Sequence, residues 1–256
     1  MGGLLYKDFT IVRGKRLLIV TAAVTVLLIL LRVLFPGTED LTEFMAYDNQ
    51  GNPLNLIDVV FATMAGCFML FGVSLINGYV RKICEADEKN KLREYLFSMP
   101  LERKTVVASK YVFIGITAYI FFSLYMILSV SSKAFAGGNQ DFMNVLDSFA
   151  LFFFCIALLL AGIELPMFIL MGRGKAMLIK VGIIMLFGML IIGYVLFGNL
   201  EVFSNIDIEK IVSWMNAHSF QLMAMSVIFP AVTLLLYYFS YRLTAALCGR
   251  KERNYD

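Results

Sequence analysis

The stretch LIDVVFATMAGCFMLFGVSLINGY, residues 56–79, is followed one residue later by RKICEADEKNKLREYLFSMPLERKTVVASK, residues 81–110. The first piece is 24 residues of almost unbroken apolar sequence, enough for a helix to cross roughly 30 Å of hydrocarbon. The second holds eight basic residues: Arg81, Lys82, Lys89, Lys91, Arg93, Arg103, Lys104 and Lys110. Working outward, apolar runs of 19 to 24 residues recur at 17–35, 56–79, 111–130, 148–171, 178–198 and 219–239. Basic residues crowd alternate connections: Lys7, Arg13, Lys15 and Arg16 at the start, Arg173, Lys175 and Lys180 in the middle, and Arg242, Arg250, Lys251 and Arg253 at the end. Of the 22 Lys and Arg residues, only Arg32, Lys133 and Lys210 fall elsewhere. Cytoplasmic connections of membrane proteins carry this excess, and only helices satisfy their own backbone in lipid without closing a barrel. The expected fold is therefore an all-α integral membrane protein with six transmembrane helices and cytoplasmic N- and C-termini.

Composition agrees. The hydrophobic share is 60%, against roughly 45–50% in soluble domains. Six spans leave no room for a second globular unit, so residues 1–256 read as one transmembrane domain. The net charge of +3 matters through its distribution, which reads as membrane orientation and not as affinity for nucleic acid.

The first run has basic residues before it, as a signal peptide would. It is longer than a usual signal core, and the sequence after Val33 offers no small-x-small cleavage site, so it reads as a retained helix. Met1-Gly2 opens like a myristoylation signal, but Tyr6 stands where Ser or Thr is needed. Leu5, Phe9 and Val12 follow helical spacing with Lys7 and Arg13 among the polar positions, which predicts an interfacial helix over residues 1–16, resting on membrane lipid at the inner leaflet. The four cysteines, Cys67, Cys84, Cys155 and Cys248, lack metal-ligand spacing and form no disulfide framework.

The far-side connections are acidic or short. Residues 36–55 hold Glu39, Asp40, Glu43 and Asp48, with a turn cluster at residues 49–53. Residues 199–218 differ: Ile208, Ile211, Val212 and Met215 repeat at helical spacing after a Ser204-Asn205 cap, so an amphipathic helix is expected at the outer interface or dipping into it. Trp214 and His218 suit that boundary.

Residues 81–110 are the most specific segment. Leu92, Tyr95, Leu96 and Met99 form one apolar helical stripe, Pro100 interrupts the helix, and residues 102–110 restart it towards the third span. An apolar stripe on the wet side needs a cover. Headgroups, the chain's own helix ends or a cytoplasmic partner protein would each serve.

These residues carry a resemblance. The order of Leu5-Tyr6-Lys7-Asp8-Phe9, two spans, then Glu94-Tyr95-Leu96-Phe97-Ser98-Met99-Pro100-Leu101-Glu102-Arg103-Lys104, with Lys110 opening the third span, resembles the membrane subunit of bacterial ABC-2 type (type V exporter-like) transporters. Within that family it is most similar to the small Firmicute-type permeases that include the phenol-soluble modulin exporter. The resemblance implies that the segment after the second span is a coupling helix, here Leu92, Tyr95, Leu96, Met99, Pro100 and Arg103, docking on a separate cytoplasmic ABC ATPase subunit. It also implies a helix along the membrane at Leu5, Phe9 and Val12, and a re-entrant helix at residues 199–218. A second copy of the permease, or a related one, would complete the path, in a bacterial plasma membrane.

The chain has no G-x-x-x-x-G-K-[ST] motif. Gly172-Arg-Gly-Lys-Ala176 comes nearest but lacks the first Gly at the required spacing and ends in Ala, so it reads as a tight inner connection. The chain is expected to be a transporter subunit without its own ATPase site or cofactor, ATP-Mg being held by the partner. With a single His, His218, neither a metalloprotease set nor a Ser–His dyad is expected.

Glu164 is the conspicuous charge, deep in the fourth span with Pro166 two residues later. A carboxylate there is costly and should face protein or a water-filled path. Three readings stand: pairing with Lys180 or Arg173, lining a substrate path, or relaying protons. Function reads first as an ATP-driven exporter moving an amphipathic or hydrophobic substrate, with a peptide suggested by the resemblance. A peptide-sensing or self-immunity subunit without net transport, and an ion-coupled secondary carrier, are the alternatives.

Overall fold

The computed structural model describes residues 1–34, 46–47, 53–54, 56–89, 103–134, 141–197 and 219–253. Helices dominate. They are α1 (Gly2–Ile11), α2 (Gly14–Leu34), α3 (Leu56–Lys89), α4 (Arg103–Ala134), α5 (Asp141–Met171), α6 (Arg173–Phe197) and α7 (Ser219–Arg253). A two-residue antiparallel pair, β1 (Ala46–Tyr47) with β2 (Pro53–Leu54), brackets the expected turn cluster. Pro53 is tolerated there because both strands are edges.

Among the described residues, five helical stretches are long and apolar enough to span a membrane: Gly14–Leu34, Val60–Lys89, Lys104–Ala134, Phe149–Met171 and Ala224–Cys248. They match five of the six expected spans. The remaining one, 178–198, overlaps α6, whose 25 residues carry Arg173, Lys175 and Lys180 near their start. At about 1.5 Å per residue α6 is long enough to cross the hydrocarbon, but the charges fill its first turns.

The centre of the bundle is α3, α4 and α5. Ile76, Val80 and Ile83 of α3, Ile114, Phe121 and Tyr125 of α4, and Leu165 of α5 are fully buried. Small residues let these helices approach: Ala62 and Ala65 face in from α3, Ala150, Ala157 and Ala161 from α5. A Cβ on Gly72 would come within 3.2 Å of the Phe121 ring. In lipid, burying a leucine against protein gains little over burying it in acyl chains, so close van der Waals contact between small residues carries association. For the same reason α2, α6 and α7 leave rows of large apolar side chains bare, among them Ile19, Leu27, Leu178, Met189, Val227 and Leu235.

One polar stitch fastens α7 to the centre. Pro166 lies inside α5 and has no N–H, so the Gly162 carbonyl four residues back loses its helical donor. The Ser240 hydroxyl donates to that carbonyl at 2.5 Å. Tyr111 shares a hydrogen bond with Ser240 at 2.8 Å and another with Thr244 at 3.0 Å, while Tyr237 donates to the Tyr111 carbonyl at 2.9 Å. Gly162 permits the approach, since a Cβ there would sit 3.2 Å from the Tyr237 ring.

Ser240→Ala should therefore cost about 1–2 kcal/mol of bundle stability by leaving a buried carbonyl unpaired. Pro166→Ala restores the backbone donor to Gly162, so in that background the Ser240→Ala penalty should shrink. Detergent-denaturation curves of the two single variants and the double variant check this, and equal penalties in both backgrounds would refute the stitch.

Candidate functional site

The polar side chains of the bundle gather at its two ends, and the richer gathering lies at the basic end, where α1, α3, α4 and α6 meet. Entry into it begins with a two-residue turn. α1 ends at Ile11, Val12 caps it and is buried, Arg13 takes a left-handed φ of 55°, and α2 starts at Gly14. The turn folds α2 back so tightly that a Cβ on Gly14 would fall 2.6 Å from the Phe9 ring. Only glycine allows that approach. Phe9 in turn meets Phe113 of α4 edge-on, with ring centroids 6.5 Å apart.

Leu5 and Phe9, expected as a lipid-facing stripe, lie partly buried against the core of the bundle, and Val12 is buried. The bundle itself covers this stripe, while Met1 and Tyr6 stay exposed. The packing carries Lys7 and Asp8 into contact with α3 and α4. Lys7 Nζ lies 2.7 Å from Asp87 Oδ1, and Lys110 Nζ bonds Asp87 Oδ2. Asp8 is almost wholly buried, with Lys7 Nζ 3.6 Å away and, among the described residues, neither carboxylate oxygen accepting a hydrogen bond. Burial pushes the Asp8 carboxyl above its ordinary value of 3.8, Lys110 and Lys7 pull it back, and Asp87 adds to the rise. Asp87, held by Lys7 and Lys110, thus ties three helices together, with Asp87 three residues before position 90 and Lys110 eight after position 102.

Those positions bound the segment of greatest interest to the sequence reading. Leu92, Tyr95, Leu96, Met99 and Pro100 lie outside the described residues, as does the outer segment 199–218 with Trp214 and His218; Arg103 is the first residue of α4. The ion cluster on both flanks of the segment was not legible from periodicity. Its one signal was a lone acid, Asp8, beside Phe9 on the apolar side of a short amphipathic helix.

α3 and α6 form a second polar group at this end. Gly172, with φ of +77°, is the single residue between α5 and α6, which bears out a tight connection there. The Arg173 amide donates to Glu88 Oε2 at 3.1 Å, and the Arg173 guanidinium meets Glu85 at 2.9 Å. Glu85 is also reached by Lys89 at 3.0 Å and Arg81 at 3.7 Å. Deeper along α5, Glu164 pairs with Lys180 at 2.5 Å, so of the three readings of Glu164 the structure realises the ion pair. Lys180 reaches it from the second turn of α6.

At the far end, Asp147 accepts hydrogen bonds from Tyr125 at 2.8 Å and Ser129 at 2.7 Å and pairs with Lys133 at 2.5 Å. Arg32 lies buried beside it in the bundle, its Nε donating to the Ser132 carbonyl at 3.4 Å and its guanidinium 5.1 Å from the Phe61 ring. Arg32 and Lys133, the two described basic residues outside the basic end, are thus held by specific partners. Among the described residues no group of His, Cys, Asp and Glu could hold a metal ion.

Residues 52–247 match the family described as ABC-2 family transporter protein. Comparison with curated proteins and with solved structures gave no match.

Two outcomes follow from the geometry. A raised carboxyl favours the docked state when protonated, so its contribution is full below 3.8 and is lost as pH rises through the raised value. Hydrogen-exchange protection of α1, corrected for intrinsic rate, should rise as pH falls towards 3.8, and Asp8→Asn should flatten that dependence. Lys180→Met strands the Glu164 charge. Because Lys180 is about a third exposed, the cost should be on the order of 1–2 kcal/mol, below the roughly 3–5 of a fully buried pair. Lys180→Met with Glu164→Gln should recover most of it in thermal unfolding.

Proposed function

The chain belongs to the ABC-2 family of transporter proteins, membrane subunits that work with an ABC ATPase, and from that premise we propose that it is the permease half of an ATP-driven exporter. Residues 81–110 form the coupling segment that a separate cytoplasmic ATPase grips, with Leu92, Tyr95, Leu96, Met99, Pro100 and Arg103 at the contact. α6 supplies the fifth of six spans, which puts both termini and the coupling segment on the same, cytoplasmic face of a bacterial plasma membrane. Two permease copies enclose the path, and the cargo is amphipathic or hydrophobic, a peptide of the phenol-soluble modulin kind being the member of that class the resemblance favours.

The observation that carries this reading is the ion cluster of Lys7, Asp8, Asp87 and Lys110. It fastens the two flanks of the coupling segment to each other and to α1, and α1 turns into α2 through two residues. A push on residues 90–102 is then delivered to α1, α3 and α4 as one body, which suits a rigid-body switch between inward- and outward-facing states. The pairing of Glu164 with Lys180 speaks against an ion-coupled carrier, which needs a carboxylate that binds and releases protons along the path. A sensor or self-immunity subunit would share the architecture and differ in moving nothing, a point decided by cargo accumulation in inverted vesicles.

Replacing Tyr95 and Leu96 together with Asp should abolish cargo-stimulated ATP turnover by the assembled complex while leaving the permease folded and membrane-inserted. Turnover that survives the double change would sink the coupling assignment.

A further inference from the structure

A cavity of about 510 Å³ opens between the basic end of α3 and the first turns of α6. Its upper wall is charged: Glu85, Glu88 and Lys89 from α3 and Arg173 from α6. Its lower wall is Met177, Leu178 and Val181. Leu178, 74% exposed, and Val181 belong to the face of α6 that is bare of protein, and Met177 lies half-buried beside them. The lining therefore changes from ionic to apolar along one helix, in step with the change from headgroups to acyl chains in a bilayer leaflet. The size suits one headgroup with the start of its chains.

The charges discriminate among headgroups. Two carboxylates face two cations, so the wall is neutral overall and complements a molecule that carries both signs. Glu85 is spent on Arg173, Lys89 and Arg81. Glu88 is different: Oε2 accepts the Arg173 amide, and Oε1 has no hydrogen bond among the described residues. Arg173 and Lys89 are each more than a third exposed at the side chain and keep N–H donors to spare.

We propose that this cavity is a binding site for a zwitterionic phospholipid with a primary amine, a phosphatidylethanolamine. The ammonium donates to Glu88, the phosphate accepts from Arg173 and Lys89, and the acyl chains run down Met177, Leu178 and Val181. A primary ammonium has three N–H donors for Glu88; a quaternary choline has none, and an anionic glycerol headgroup brings no cation to meet the carboxylate. The site is independent of how the transporter is energised, since it rests on the cavity and its charges alone.

The experiment is lipid retention by the full-length chain in nanodiscs made from equal parts phosphatidylethanolamine, phosphatidylcholine and phosphatidylglycerol with identical acyl chains, read by native mass spectrometry. The ethanolamine lipid should be retained over the choline lipid by about threefold or more. Glu88→Gln should erase that preference, because its amide oxygen still serves the Arg173 N–H but carries no charge. Val181→Trp, at a lipid-facing position, should fill the cavity and lower retention of the ethanolamine lipid, giving a second arm should Glu88→Gln fail to fold. Equal retention of all three lipids by the unaltered chain overturns the proposal. So does preference for phosphatidylglycerol, which would make this a site for anionic lipid, or a preference for phosphatidylethanolamine that survives both substitutions.

Discussion

Hydrocarbon offers the backbone no hydrogen bonds, and this molecule is organised around that constraint. Each span must satisfy its own N–H and C=O groups, so the chain is drawn into long helices. Where a helix breaks the rule, a side chain from a neighbour makes the repair. Pro166 takes one donor out of α5, and Ser240 of α7 supplies another to the orphaned Gly162 carbonyl. That repair is also one of a group of polar bonds that hold α7, which shows many apolar side chains bare of protein, to the rest of the bundle. A local defect thus sets where a peripheral helix sits.

The same constraint sorts the charges. Asp147, Lys133 and Arg32 collect at one end, and Asp8, Lys7, Asp87, Lys110, Glu85, Glu88 and Arg173 at the other. Glu164, the acid set deeper in α5, meets a lysine that reaches it from the start of α6. A paired charge can sit near the boundary at a tolerable cost, whereas an unpaired one cannot. The consequence for transport is mechanical. The flanks of residues 90–102, the proposed coupling segment, are bound to each other and to α1 by ions in a weakly solvated place, where electrostatic attraction is strong and little screened. A packed, charged joint of that kind moves as a unit.

Much of the architecture was legible beforehand. Run length picked out the five helical stretches that are long and apolar enough to span a membrane, and the strong bias of basic residues marked one end of the bundle, because the bilayer acts on composition, which the sequence displays directly. The pairing of Glu164 was open among three readings, since a carboxylate in a span says only that it needs a partner. Lys180 was a candidate; its selection needed the tight turn at Gly172 that starts α6 close alongside α5. The covering of Leu5, Phe9 and Val12 by protein in place of lipid was not legible at all, because an apolar stripe is the same sequence whichever apolar surface it meets.

The linear order of residues by itself determined a multi-pass helical membrane protein with a basic end, no nucleotide-binding loop of its own, and a wet-side segment between its second and third long apolar runs. Those properties depend on residue type and local spacing, and local chemistry is what a sequence states. Only the tertiary structure decided that Lys7 and Lys110 both meet Asp87, that Ser240 answers Pro166, and that Glu88 and Arg173 share the wall of a cavity. Each of these joins residues far apart along the chain, and which distant groups meet is set by how whole helices pack, a matter on which periodicity is silent.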